Sequence, residues 1–114
     1  MLLTALILSM AMQPDRWISV GGSIGLYEEY LDKESIKRSG DKVTLWTRRD
    51  FVRGRSTAWN EIEFDCSART ETILAYIRDD DGTVSHNVVR PHRGAAPIAP
   101  KSVEERIFNL ACRF

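Results

Sequence analysis

Residues that could perform catalysis or bind a metal are scarce in this chain of 114 residues. Its only two histidines, His86 and His92, lie six positions apart and are separated by Pro91. This spacing would not place two metal ligands side by side on one strand or on one turn of a helix. We therefore expect no catalytic residues, no metal and no cofactor. The alternative is a small hydrolase in which one of the two histidines acts as the base of a site assembled in space.

Two acidic segments could hold a cation or act as paired acids. The run Asp79-Asp80-Asp81 resembles the start of a calcium loop, but Arg90 stands where the twelfth position of an EF-hand requires a bidentate glutamate. This run followed by Gly82 is typical of a solvent-exposed hairpin turn. In the segment 61–66, Glu61, Glu63 and Asp65 alternate with apolar residues, which favours the exposed face of a strand over a catalytic pair.

The densest basic cluster is the most promising candidate for a binding surface. Arg48, Arg49, Arg53 and Arg55 lie close together in the sequence, and Trp59 follows them. Arginine and tryptophan are enriched where proteins bind one another, and an arginine-rich loop could attract an acidic protein or polysaccharide. The alternative is a solvent-exposed loop whose arginines pair with nearby acids.

Composition limits the classes of function that remain. The 16 basic residues, 12 of them arginine, are balanced by 16 acidic ones, so the formal net charge is zero and a dedicated nucleic-acid binder is disfavoured. Apolar residues make up 43% of the chain, which excludes wholesale disorder, and the length suits a single domain.

Residues 1–11 are predicted to be a signal peptide, and residues 12–114 the domain itself. The first segment is apolar and uncharged, too short to span a bilayer, and ends with small residues at Ser9 and Ala11, so cleavage after Ala11 is expected. No basic residue precedes the apolar run, and the true start could lie upstream. The alternative is a buried N-terminal helix or strand. Export predicts a periplasmic, secreted or cell-envelope protein without a membrane span after cleavage.

Cys66 and Cys112 are the only cysteines, so only one intramolecular disulfide is possible. Export to an oxidising compartment would favour its formation. The weaker alternative is a reactive thiol or a metal site. The alternation at 61–66 directs Cys66 toward the buried side of a strand.

Hydrophobic periodicity predicts an α+β fold, with an antiparallel sheet of about six strands and a C-terminal helix on one face. Strands are expected at 16–22, 25–31, 42–49, 61–66, 70–78 and 83–90, a helical corner at 32–36, and loops at 52–58 and 91–100. Ser102 and Glu105 form the pattern of a capping box, and Val103, Ile107, Leu110 and Ala111 recur at helical spacing. Cys112 lies at the end of this helix, so the disulfide would join helix and sheet.

The order of these signals resembles the surface-adhesin protein E family of small exported bacterial domains. The matching residues are Trp17; Tyr30, Asp32, Ser35 and Ile36; Gly40, Asp41, Val43, Leu45 and Trp46; Glu63, Asp65, Cys66 and Arg69; Asp81, Gly82 and Val84; and Ile98, Pro100, Ser102 and Cys112. The resemblance implies an antiparallel sheet with a helix, and an adhesin-like activity, since the family is named after an adhesin that binds host matrix proteins.

Three functions follow as hypotheses. The first is a non-enzymatic binding module in the periplasm or at the envelope, with an unidentified protein or polyanion as partner. The second is an inhibitor of a periplasmic or host enzyme that uses the loop 91–100, and the third is the small hydrolase. Edge strands would also permit a homodimer.

Overall fold

The computed structural model describes residues 16–88 and 94–113, and the side chains of 86–88 are not described. The predicted signal segment 1–11, its cleavage after Ala11, and His92 lie outside this part of the chain. The described residues form eight strands, a short 3-10 helix and an α-helix. Their bounds are β1 Trp17–Ser23, β2 Tyr27–Asp32, the 3-10 helix Lys33–Ser35, β3 Lys37–Ser39, β4 Lys42–Phe51, β5 Ser56–Asp65, β6 Thr70–Asp80, β7 Thr83–Val88, β8 Ala96–Pro97 and α1 Val103–Ala111.

Six of these strands form one antiparallel sheet in the order β1-β2-β4-β5-β6-β7. The short strands β3 and β8 pair with β4 and β6 respectively. The predicted fold class, an antiparallel sheet of about six strands with a C-terminal helix, is confirmed. None of the helices in the described part of the chain is long and apolar enough to cross a membrane.

Two of the predicted loops were wrong in part. The loop expected at 52–58 ends at Arg55, because Ser56–Ala58 already belong to β5, where Ala58 is buried and pairs with Arg49. The small polar residues there have no periodicity of their own, and their strand conformation comes from pairing with β4. Within the loop expected at 91–100, Ala96 and Pro97 form β8 beside β6. Proline is tolerated there because a two-residue strand at a sheet margin needs few backbone donors.

Alternation along β4 and β5 gives the sheet two different faces. Along β4, the side chains of Val43, Leu45 and Thr47 are buried on one face of the sheet. Those of Trp46 and Arg48 are half-buried on the other face. In β5 the alternation predicted for 61–66 is present, with Ile62 and Phe64 buried and Glu61, Glu63 and Asp65 half-buried. Cys66 follows the strand and is half-buried against the core. Helix α1 packs on the buried face.

The helix is placed by its cap, its apolar stripe and the disulfide. Ser102 Oγ accepts a hydrogen bond from the Glu105 backbone N–H at 3.1 Å, as the capping box predicts. Ile107 and Ala111 are buried, as is Phe108, which the predicted stripe did not include and which packs edge-on against Phe64.

The predicted disulfide is present and joins the end of β5 to the end of α1. Cys66 and Cys112 are bonded, with their Cα atoms 5.8 Å apart. Helix and sheet are therefore tied at one end, directly beside the buried cluster of Phe64 and Ala111.

Candidate binding surface

The four arginines proposed from the sequence do not form one patch, because strand geometry separates them. Arg48 and Arg49 are neighbours in β4 and so point to opposite faces of the sheet. Arg53 and Arg55 lie in the exposed turn between β4 and β5. Trp59, in contrast, is directly opposite Arg48 in the register of β4 and β5.

Arg48 is held between two aromatic rings on the face opposite the helix. Its guanidinium carbon lies 4.7 Å from the ring centroids of both Trp17 and Tyr30. Its Nε lies 3.1 Å from Asp50 Oδ1, an ion pair without hydrogen-bond geometry, and the side chain keeps 26% of its surface exposed. Stacking on aromatic faces is a favourable way to hold an arginine guanidinium.

These residues belong to a larger aromatic surface, which we call the open face: Trp17, Tyr30, Trp46, Arg48 and Trp59. It contains all three tryptophans of the chain, and each of the five side chains is half-buried.

Acidic residues stand around the open face. Glu61 and Glu63 follow Trp59 in β5, and Glu28 accepts a hydrogen bond from the Tyr30 hydroxyl at 2.8 Å, which raises the pKa of that hydroxyl. The open face is therefore an apolar and cationic centre with an acidic margin.

On the opposite face, Arg49 is part of an ionic network between sheet and helix. Its Nε donates to Glu29, whose side chain is only 1% exposed, and its Nη2 lies 3.3 Å from Glu104 of α1. The guanidinium also lies over the ring of Tyr27. Burial raises the pKa of Glu29, and Arg49 opposes that rise. Arg49 therefore neutralises a buried carboxylate.

The family model for surface-adhesin protein E matches residues 17–113, nearly the whole chain. The chain belongs to the surface-adhesin protein E family. It has no significant match among curated proteins or among solved structures.

Several residues that resemble the adhesin family's pattern have structural roles near the open face. Asp32 caps the 3-10 helix by accepting from the Glu34 backbone N–H at 3.1 Å. Ser35 donates its hydroxyl to Asp32 O at 2.7 Å and accepts from the Trp46 backbone N–H at 2.8 Å. These two residues thus fix the corner that positions Trp46. Arg16 pairs with the Asp32 carboxylate through two contacts of 3.0 Å.

The turn after β5 is built in the same way by a second part of the adhesin pattern. One oxygen of Asp65 accepts hydrogen bonds from Ser67 N, Ser67 Oγ and Ala68 N at 3.0–3.1 Å, and these bonds lower the pKa of Asp65. Arg69 lies over the ring of Phe108 and reaches Glu105 at 3.7 Å. This turn presents Cys66 to the helix.

The spacing Gly21-x-Ser23-x-Gly25 is that of a serine nucleophile elbow, which requires a sharp turn from a strand into a helix. Here it lies at the end of β1 and in the hairpin turn to β2, where Ser23 pairs with Tyr27. The geometry of an elbow is therefore not formed. Among the described residues no cluster of three or more histidine, cysteine or acidic side chains could hold a metal ion.

The sequence pointed to Arg48 and Trp59 but not to Trp17 or Tyr30. These two come next to Arg48 only through the pairing of β1 with β2 and of β2 with β4, where Tyr30 stands opposite Arg48. Their aromatic character and strand positions were visible in the sequence, whereas the register that unites them was not.

Proposed function

We propose that this member of the surface-adhesin protein E family is an exported, non-enzymatic binding module that holds a protein partner on its open face. The observation that carries the proposal is the guanidinium of Arg48 between Trp17 and Tyr30, with Trp59 beside it. Tryptophan, tyrosine and arginine are the residue types that contribute most to binding energy in protein interfaces.

Preorganisation supports this role for Arg48. An arginine already held by two rings and an acid loses little conformational freedom when a partner arrives. Its planar group could donate to carbonyl or carboxylate oxygens of the partner, while the neighbouring indole rings supply apolar area.

The turns at one end of the sheet extend the proposed surface. Arg53 and Arg55 are exposed between β4 and β5, and the adjoining Val52 is 61% exposed. Leu26 is also 61% exposed, and its carbonyl accepts a hydrogen bond from Val52 N at 2.9 Å, so the two turns are in contact. Exposed apolar side chains grouped beside cations are typical of an interaction site. We propose that the partner's edge is apolar and acidic where it meets these turns.

Export, and a place in the periplasm or at the cell surface, also belong to the proposal. The apolar start of the chain and the disulfide support them, because disulfides persist in oxidising compartments. The family's name supports an adhesive role over a catalytic one.

The proposal is tested by surface plasmon resonance with the disulfide-intact protein and immobilised extracellular-matrix proteins. For any partner that binds, we expect Trp59→Ala to weaken the affinity by about 30-fold or more, the loss typical of an interface hot spot of about 2 kcal/mol. The matched control is Tyr76→Ala, because Tyr76 pairs with Asn60 and so lies on the other face.

A separate variant tests the turns. Replacing both Arg53 and Arg55 by glutamate is expected to weaken binding more at low salt than at high salt, because exposed charges act mainly through long-range attraction. If Trp59→Ala binds as tightly as the unmodified protein, or Tyr76→Ala loses as much affinity, the open face is not the binding surface.

A further inference from the structure

A second recess lies away from the open face, between the edge strand β1 and the helix α1. It is a cleft of about 430 Å³. Its walls include Ser19, Gly21, Arg106, Asn109, Leu110 and Arg113. Strand β1 is the first strand of the sheet, and among the described strands only β2 pairs with it.

The described residues that line this cleft carry positive charge and no negative charge. Arg106 and Arg113 line it together with Asn109 and Ser19, and none of the described residues that line it is acidic. Arg106 and Arg113 form no ion pair with any residue in the described part of the chain, unlike Arg16, Arg48 and Arg49. An unneutralised pair of cations in a recess attracts an anionic group.

Arg106 is fixed in place by the backbone of β1. Its Nη1 donates to Val20 O at 3.1 Å, which leaves the other N–H groups of the guanidinium for a ligand. Gly21 makes this position possible, because a Cβ at that residue would overlap Arg106 Nη1. Gly21 also has a φ of 99°, a conformation that side-chain-bearing residues rarely adopt. The missing Cβ therefore leaves room for the guanidinium, and the backbone conformation favours glycine at this position.

We propose that this cleft binds a carboxylate side chain of an extended acidic peptide that lies along the outer edge of β1. The guanidinium groups match a carboxylate, and the half-buried apolar side chain of Leu110 suits the methylene groups that carry it. A peptide is favoured over an anionic sugar because an edge strand offers backbone groups with which an extended peptide can pair. This site is independent of the proposed open face.

The test measures fluorescence anisotropy of a labelled peptide of alternating valine and glutamate, added to the disulfide-intact protein at low salt. We expect Arg106→Gln and Arg113→Gln each to weaken binding by about tenfold, as the loss of a charge-assisted hydrogen bond would. Lys37→Gln is the matched control, since Lys37 is an exposed cation on β3. Gly21→Ala is expected to weaken binding as Arg106→Gln does, because the added Cβ would displace the Arg106 guanidinium. If Gly21→Ala fails to fold, Arg113→Gln still tests the proposal.

Four results would overturn the proposal. They are no binding at millimolar peptide, equal binding of the peptide with glutamine in place of glutamate, an equal loss in Lys37→Gln, and unchanged binding in both arginine variants. A heparin hexasaccharide that binds more tightly than the peptide, with the same dependence on Arg106 and Arg113, would replace the peptide by an anionic sugar and so contradict the assigned partner.

Discussion

Replacing Arg49 by methionine removes the cation from a buried ion pair while keeping a long apolar stem. The Glu29 carboxylate, whose side chain is only 1% exposed, would then be buried without the guanidinium that neutralises it. Breaking a fully buried pair in this way costs about 3–5 kcal/mol. Because 31% of the Arg49 side chain is exposed to water, we reduce this to about 2–3 kcal/mol of unfolding free energy at pH 7.

The loss in Arg49→Met depends on pH with a definite sign. Burial already raises the pKa of Glu29, and removing Arg49 removes an influence that lowers it, so the pKa rises further. The folded state then binds a proton more tightly than the unfolded state, whose glutamate titrates at about 4.3. Stability therefore falls as the pH rises through the interval above that value, and the variant recovers stability as the pH is lowered from 7 toward 5.

Urea unfolding followed by tryptophan fluorescence measures both effects. We expect the midpoint of Arg49→Met at pH 7 to fall by about 1–2 M urea. Lys42→Met is the matched control, because Lys42 is on the same strand with 58% of its side chain exposed and pairs with Glu63 at 3.6 Å. Its loss should stay below about 1 kcal/mol. The double variant Glu29→Gln/Arg49→Met should regain most of the stability and lose the added pH dependence. Equal midpoints for Arg49→Met and the control would refute this account of the network.

Three further predictions concern the parts that position the sheet and helix. Replacing Cys66 and Cys112 by alanine should lower the unfolding free energy by about 4 kcal/mol, from the entropy of the 46-residue loop, as measured by urea unfolding; an unchanged midpoint would contradict it. Ser102→Ala should cost about 1 kcal/mol by removing the helix cap, whereas Ser102→Asp should cost much less in the same assay. The pKa of Asp65 is lowered in the folded state, so its contribution to stability is present above the pKa of the unfolded state and is lost as the pH falls through the pKa of the folded state. Asp65→Asn should therefore flatten the acid limb of a plot of stability against pH. An acid limb identical to that of the unmodified protein would show that Asp65 contributes nothing to it.

Features encoded over short stretches of sequence were predictable. The Ser102 cap depends on residues three positions apart, and the burial of Ile62 and Phe64 depends on alternation within one strand. The disulfide followed from a count of two cysteines combined with the expectation of export.

The composition of the candidate site was only partly predictable, because it depends on register between strands. The sequence predicts that Arg48 and Arg49 lie in one strand. Because successive side chains of a strand point to opposite faces of a sheet, their separation could be predicted. What no local pattern shows is that Arg48 meets Trp17 and Tyr30, since this needs the pairing of three strands.

The contrast between Arg48 and Arg49 tests the central claim most directly. Each is replaced by glutamine, and each variant is measured for partner affinity by surface plasmon resonance and for stability by urea unfolding. We expect Arg48→Gln to lose at least about tenfold in affinity with a stability loss near 1 kcal/mol, because it removes only the two ring contacts and the partly exposed ion pair with Asp50. Arg49→Gln should lose about 2 kcal/mol or more of stability and keep its affinity. Equal affinity losses in the two variants, or a loss confined to Arg49→Gln, would contradict the assignment of binding to the open face.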